Sequence, residues 1–368
     1  MRIGLVVPGG VDPSGEYRVI PALLALIRRL VRHHDVRVFA LYQQAQPGRW
    51  ELLGAPVWNS GTRYTRIRGV RTICAQHRLR PLDVIHAIWS GGPGMVAVAA
   101  ARILGIPSLV HVAGGELAAV PAIGYGGRLT WKGRVREAAV LRGATQVSAA
   151  SGPIIATLAA LGITAQHVPL GVDLDIWPPR APLRRSAGQP ARLIHVASLN
   201  RVKDQPTLLR ALAALREWGV DFEMHVVGED TLGGEIQALA ERLGLLGRVR
   251  FEGFLPQRSL RPLVEAADVM VMSSRHEAGP LVLHEAAVVG VPTVGTAVGQ
   301  IADWAPQAAL AAPVGEPIML ARQVAALLGD EDLRLRIAHE AWTRATREDA
   351  DSTARGFESI YESLVASG

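Results

Sequence analysis

The sequence predicts an α/β protein built from two doubly wound parallel sheets, and three observations carry that prediction. The chain has 368 residues, more than one hydrophobic core usually covers, so two domains are expected. Short β-branched runs alternate with longer amphipathic stretches along the chain, the rhythm of parallel α/β structure. That rhythm breaks after Gly171, where Trp177-Pro178-Pro179 and the Pro- and Arg-rich stretch 180–190 show no periodicity and read as a linker.

In the first half, strands are expected at 3–7, 36–41, 84–86, 108–112 and 146–149, with helices at 17–31, 93–104 and 153–161 between them. These helices close near glycines, as at Leu104-Gly105 and Leu161-Gly162. In the second half, strands are expected at 192–197, 222–227, 249–251, 269–272 and 293–295. Helices follow at 206–218, 234–243, 259–266, 280–289 and 317–328, and a last one covers 349–365. Ligands of such sheets bind beyond the carboxyl ends of the strands, so a cleft between the two halves is the expected active site.

Composition narrows the class. An apolar fraction of 49% and a charged fraction of 20% exclude a disordered chain. The single cysteine, Cys74, excludes an intrachain disulfide framework and a cysteine cluster for zinc, and fits a reducing cytosol. The chain opens on the strand-like run Ile3–Val7, without the pattern of a signal peptide, and its apolar runs are too short to span a bilayer. A cytoplasmic protein is expected, attached to a membrane at most at its surface. Residues 1–180 hold 20 Lys and Arg against 9 Asp and Glu, and the remainder 19 against 24, so the formal charge of +6 divides into +11 and −5. This asymmetry suggests an anionic partner for the first half. Nucleic acid is not expected, because the basic residues are not interleaved with aromatics and no recognition motif is present. An anionic membrane surface, an acidic acceptor or a solvated arginine-rich surface each fits the charge. Arg128, Lys132, Arg134, Arg136 and Arg142 concentrate it beside Leu129, Trp131 and Val135.

The stretch from Ser274 to Ala286 carries the most chemistry. It follows a buried strand and enters a helix. Gly279 permits a tight turn, and Pro280 suits the first helical position because it has no N–H to leave unpaired. The N–H groups of Leu281 and Val282 then face outward at the positive end of the helix dipole, where an anion binds. Glu277 lies before that end and Glu285 in the second turn. One carboxylate is available to sugar hydroxyls and the other to a ribose diol, since each oxygen accepts charge-assisted hydrogen bonds. No metal is expected, because no Asp-x-Asp occurs in a suitable loop and no histidines have ligand spacing.

This segment resembles the Glu-x7-Glu signature of family-4 glycosyltransferases, retaining enzymes of the GT-B fold. Gly290-Val291-Pro292-Thr293-Val294-Gly295-Thr296 and Val298-Gly299 match the continuation of the same pattern. The resemblance is strong over 193–303 and looser over 1–175. It implies two Rossmann-like domains facing across a cleft: an acceptor domain at 1–172 and a donor domain at 173–345. The segment 349–368 would cross back onto the first. It implies a nucleotide diphosphate sugar as donor (UDP- or GDP-linked, hexose-type), no metal, and a sugar or lipid-linked acceptor in glycan or polysaccharide synthesis.

Residue by residue, Lys203 matches the family lysine that contacts the donor diphosphate, where a compact ammonium neutralises charge on the leaving phosphate. The family's arginine position is occupied by Ser198, a departure that Arg201 could offset. Gly228 and Leu255 lie in the two loops that flank the nucleotide in the family. Gly9 and Gly10, after the first strand, would let the backbone approach a phosphate, or form a plain turn. On the acceptor side the usual histidine position falls at Ala113. His111 is on the same strand, either a core histidine or a residue reaching the cleft, and Glu116 is a candidate acceptor contact. Two alternatives keep the fold: an epimerase or phosphorylase type of enzyme, though no pyridoxal-binding lysine is identified, and a catalytically silent sugar-nucleotide binder.

Overall fold

Two parallel sheets organise the chain, as the alternation predicts. The computed structural model describes residues 1–186 and 188–366. Ala187, inside the expected linker, and Ser367 and Gly368, in the expected terminal segment, lie outside the described residues. The chain divides into two units, one of Met1–Asp173 with the segment from Glu348 onward, the other of Leu174–Arg347.

The first unit holds β1 (Arg2–Val7), β2 (Asp35–Ala40), β3 (Gly48–Leu52), β4 (Ala55–Asn59), β5 (Val84–Ile88), β6 (Ser108–Val112), β7 (Gln146–Ala149) and β8 (Gln166–His167). Their order is β3-β4-β2-β1-β5-β6-β7-β8. Only β3 runs antiparallel, paired with β4. β5 and β6 are buried along their whole length, which is why they read as continuous apolar runs. The helix expected at 17–31 is shorter, Pro21–Leu30. Arg18 has a left-handed φ of 53°, and the Ile20 N–H donates to Gly10 O at 3.0 Å, so the chain before Pro21 is committed to a loop.

The C-terminal helix, Ala350–Ala366, belongs to this unit and completes its core with Phe357 and Tyr361. Tyr361 shares a 2.6 Å hydrogen bond with His86 Nδ1. Buried Arg29 bridges Asp173 at 3.0 Å and Asp351 at 2.9 Å, and His34 meets Glu358 at 3.1 Å. Part of the basic excess of the first half is therefore matched by carboxylates from the other end of the chain.

The second unit holds β9 (Ala191–Val196), β10 (Phe222–Val227), β11 (Val249–Gly253), β12 (Val269–Met272), β13 (Thr293–Thr296) and β14 (Leu310–Ala312). Their order is β11-β10-β9-β12-β13-β14, and every pairing is parallel. The chain winds outward from β9 to β11, then returns to the other side of β9, so the winding reverses between β9 and β12. The loops after these two strands lie at the carboxyl edge, where ligands of such sheets bind.

The stretch 180–190 differs from a free linker. Arg180 N donates to Val288 O at 2.8 Å, and Arg184 pairs with Asp332 at 2.8 Å, which ties the segment to the second unit. Its arginines supply these ties, so aperiodic composition here marks a strap. The break between units falls at Asp173/Leu174 and again at Arg347/Glu348.

Candidate functional site

The carboxyl edge of β9 and β12 gathers the motif residues. After β12, Ser273 and Ser274 are fully buried, and the chain then turns through Arg275 to Pro280. The helix that follows is Leu281–Val288, with Pro280 at its N-cap, one position earlier than expected. Pro280 has φ −71° and ψ 116°, an extended backbone that its ring permits and the helix does not yet require. Leu281 and Val282 thus open the first turn, where helix geometry gives their N–H groups no intrahelical acceptor.

The loop after β9 carries Lys203 against this turn. Lys203 Nζ lies 2.6 Å from Glu277 Oε1, and Ser274 Oγ donates to the same oxygen at 2.6 Å. Backbone ties hold the two loops together. Ser273 Oγ donates to Lys203 O at 2.7 Å, and Arg275 N donates to Val202 O at 2.7 Å. Arg275 also pairs with Asp204 at 3.0 Å, and Asp204 adopts a left-handed φ of 48°. A non-glycine residue in that region costs energy, and the ion pair helps to hold it there.

Behind Lys203, His195 is buried at the end of β9. Its Nδ1 lies 2.8 Å from Val271 O and so carries the proton, which leaves Nε2 to accept from Gln205 Nε2 at 3.2 Å. Burial pushes this imidazole down to about 4, helped by nearby Lys203, although the Val271 carbonyl acts in the opposite direction. Gln205 also donates to Ser198 O at 3.1 Å, so Ser198 contributes its carbonyl to the loop while its side chain faces solvent. Arg201 is exposed, two residues before Lys203.

Glu285 sits deeper in the helix, 2% exposed. Gln257 Nε2 donates to Glu285 Oε1 at 2.8 Å, and the Trp177 indole N–H donates to Gln257 Oε1. An indole nitrogen can only donate, so Trp177 fixes which way the Gln257 amide points. Burial raises the Glu285 carboxyl to about 7, against the pull of the Gln257 hydrogen bond. Gln257 opens the helix Gln257–Glu265 directly after Leu255 and Pro256, which places the half-buried Leu255 at the same edge.

Two glycines are required by contact. A Cβ on Gly228 would stand 2.0 Å from Ala197 O, where the loop after β10 crosses the loop after β9. A Cβ on Gly299 would stand 2.4 Å from Glu277 O. Gly299 thereby lets the segment after β13 press against the turn carrying Glu277, and Gln300 N donates to Ala278 O at 3.2 Å. Gly279 is half-buried in that turn.

The residues expected in the first half lie in the first unit. Gly10 has φ +78°, and a Cβ there would stand 2.5 Å from Ile20 Cγ1, so packing accounts for this glycine. Gly9 lies against Gln43. His111 is fully buried on β6, with Nδ1 2.9 Å from Ser148 Oγ and Phe357 edge-on at 5.1 Å. Burial, with His167 nearby, lowers it to about 3, so it is a neutral core histidine. Glu116 is different. It accepts from Ser90 N at 3.1 Å through Oε1, while its buried Oε2 has no hydrogen-bond partner. Burial raises Glu116 to about 7, and Glu137, which accepts from Ser90 Oγ, is also raised, chiefly by burial. Trp89, just before Ser90, has a left-handed φ of 73°.

Sequence reasoning missed the supporting residues His195, Gln205, Ser273, Gln257 and Trp177. Ser273 and Gln205 adjoin the motif residues, while His195, Gln257 and Trp177 are more distant in the chain; all five act through the contacts that the fold gives them. Gln257 alone left a local signal, a polar residue at the start of a helix directly after the 253–256 loop.

Among the described residues, no three His, Cys, Asp or Glu side chains group closely enough to hold a metal ion. Residues 184–344 match the family of glycosyl transferases group 1, and residues 19–171 match a glycosyl transferase 4-like domain. A D-inositol 3-phosphate glycosyltransferase of Corynebacterium urealyticum is 34% identical over 193 residues, covering 49% of this chain and 46% of that protein. The chain spans about half the length of the relatives of this kind that it matches. The 2-deoxystreptamine glucosyltransferase of Streptomyces kanamyceticus is 29% identical over 284 residues, 70% of this chain and 72% of that one. Sucrose-phosphate synthase from Thermosynechococcus elongatus has the same fold, with a TM-score of 0.84 at 19% identity over 100% of both chains. Anabaena HepE in complex with UDP-glucose gives a TM-score of 0.76 at 20% identity, covering 99% of this chain and 100% of that one.

Proposed function

We propose that this chain, which belongs to the family-4 glycosyltransferases and has their GT-B fold, transfers a hexose-type sugar from a UDP- or GDP-linked donor to an acceptor hydroxyl, with retention of anomeric configuration. The observation that carries this reading is the Lys203–Glu277 pair, 2.6 Å apart at the opening of the helix Leu281–Val288. A cation, a carboxylate and outward-facing backbone amides at one helix start suit a sugar diphosphate better than they suit a lone anion or a lone sugar.

In this reading the amides of Leu281 and Val282, with Lys203, hold the diphosphate. Glu277 accepts hydrogen bonds from sugar hydroxyls, oriented by Ser274. Glu285 accepts from the ribose diol, held in place by Gln257. Gly228 and Leu255 border the nucleotide. Breaking the sugar–phosphate bond leaves negative charge on the diphosphate, and Lys203 with the two amides stabilises it there. The acceptor hydroxyl attacks from the face the phosphate leaves, and a phosphate oxygen takes its proton, so configuration is retained. Cationic and amide groups meet the charge, and no metal is required. HepE, of the same fold, is described in complex with UDP-glucose, which supports a nucleotide-sugar donor.

The first unit supplies the acceptor side, with Glu116 as its polar contact. The acceptor is a sugar or lipid-linked glycan, and the protein works in the cytoplasm. The test is incubation with a panel of UDP- and GDP-sugars, with released nucleoside diphosphate and glycosylated product read by mass spectrometry. Consumption of one donor, lost in Glu277→Gln, supports the proposal. If no donor is consumed, or the variant matches the parent, the assignment of this site is wrong.

A further inference from the structure

The first unit carries a basic, apolar face that the transfer reaction does not use. Three of its helices, Thr65–Leu79, Gly92–Leu104 and Trp131–Gly143, pack side by side. They hold nine Lys and Arg residues and one acid, Glu137, which is 1% exposed and turned inward to Ser90. Among the described residues, none of these nine lies within ion-pair distance of a carboxylate. Several arginines elsewhere in the unit are paired: Arg2 with Asp83, Arg28 and Arg29 with Asp173, Arg37 with Asp35. Much of the basic excess of the first half is thus carried by these three helices.

The same face is apolar at its centre. Trp131, Val135 and Ala139 recur every four residues and form one stripe along their helix. They line a groove of about 430 Å³ with Met95 and Ala99 of the neighbouring helix. Met95 and Ala99 also line a second groove, of about 380 Å³, with Ile67 and Val70 of the third. Trp131 is 64% exposed, Ile67 61% and Val135 60%. Arg66, Arg71, Arg102, Lys132 and Arg136 line the same two grooves. Taken alone, the helix Trp131–Gly143 does not separate basic from apolar residues, and the sequence showed only that mixture. Side by side, the three helices make a surface with an apolar middle and a cationic rim.

We propose that this face docks on an anionic lipid bilayer. Trp131, Val135 and Ile67 would enter the headgroup region while the arginines and Lys132 meet lipid phosphates. A soluble polyanion would satisfy the charges but leave the apolar centre in water, so the bilayer is the better match. No helix among the described residues is long and apolar enough to cross a membrane, which limits the contact to the surface. The proposal is independent of the donor reading, since it uses no residue of the second unit.

Co-sedimentation of the full chain with phosphatidylcholine vesicles, with and without phosphatidylglycerol, tests it. Binding is expected only with phosphatidylglycerol present, and should fade with salt as the Debye length shortens from about 8 Å at physiological ionic strength. Reversal of exposed Arg66, Arg71 and Lys132 to Glu should weaken binding tenfold or more. Trp131→Ser combined with Val135→Ser should also weaken it several-fold with the charges intact. Unchanged melting by circular dichroism shows that these surface variants fold. Full-strength binding by the serine variant would mean a plain polyanion site and overturn bilayer docking. So would the absence of binding at low salt. Dimers seen by light scattering and abolished by Trp131→Ser would assign the face to a second copy instead.

Discussion

Lys203 Nζ stands 2.6 Å from Glu277 Oε1, and that oxygen also accepts from Ser274 Oγ. A cation and a carboxylate from loops 74 residues apart therefore meet where the winding of the sheet reverses. In the proposed reaction each has its own target, the diphosphate for Lys203 and sugar hydroxyls for Glu277. Glu277→Gln keeps the shape and loses the charge. It should lower kcat by roughly 10²–10³ with little change in melting temperature. Lys203→Ala should have a similar effect, and the double variant should cost much less than the product of the two, because the residues act as a unit. Steady-state kinetics of the three variants checks this; independent, multiplicative effects would count against a shared role.

Glu285 gives a pH signature. Burial raises its carboxyl from the ordinary 4.5 to about 7. The unfolded chain therefore loses this proton first as pH rises. The stability due to Glu285 is fully present below about pH 4.5 and is lost as pH passes through about 7. Glu285→Gln, which stays neutral, should lose less stability across that window in urea titrations. Glu116, also raised to about 7, remains in both proteins, so the difference isolates Glu285. Nucleotide binding should run the other way, because a ribose diol donates to a carboxylate. Affinity should rise on the order of tenfold from about pH 6 to about pH 8, and Glu285→Gln should flatten that rise.

The Trp177–Gln257–Glu285 chain predicts an effect at a residue outside the motif. Gln257→Leu leaves both the Trp177 N–H and the Glu285 carboxyl without this partner. It should destabilise the second unit by about 1–3 kcal/mol and weaken nucleotide binding while kcat at saturation changes little. Urea unfolding and a KM-against-kcat comparison test it. A loss of kcat alone would show that Gln257 acts elsewhere.

Much of this arrangement was legible before the structure. The strand–helix rhythm gave most of both sheets to within a residue or two, because parallel strands buried on both faces read as apolar runs. The turn at 279–282, with Glu277 before it and Glu285 in the helix that follows, was legible because a helix start is a local signal. What escaped depended on tertiary partners. The edge pair β3–β4 has mixed exposure and carries no continuous apolar run. The helix Thr65–Leu79 was hidden by its arginines and buries only Thr65, Gly69, Ile73 and Cys74. The helix Glu331–Arg347 is similarly polar. His111 could only be assigned to the core once Phe357, from the far end of the chain, was seen against it.

Arg29 tests how the first unit is closed. It is 4% exposed and bridges Asp173 and Asp351, joining the end of the sheet region to the C-terminal helix. Arg29→Leu removes the buried guanidinium that bridges Asp173 and Asp351 and should cost about 3–5 kcal/mol. Chemical unfolding of the full chain measures this. A change below about 1 kcal/mol would mean that the C-terminal helix is held by Phe357 and Tyr361 without the ion pairs.

The most direct measurement is calorimetric titration of the chain with UDP- and GDP-sugars in the presence of EDTA, repeated with Lys203→Ala and Glu285→Ala. The account predicts that one donor class binds without metal, and that each variant raises Kd at least tenfold while melting stays cooperative. Binding that requires added magnesium or manganese, or that neither variant weakens, would contradict it.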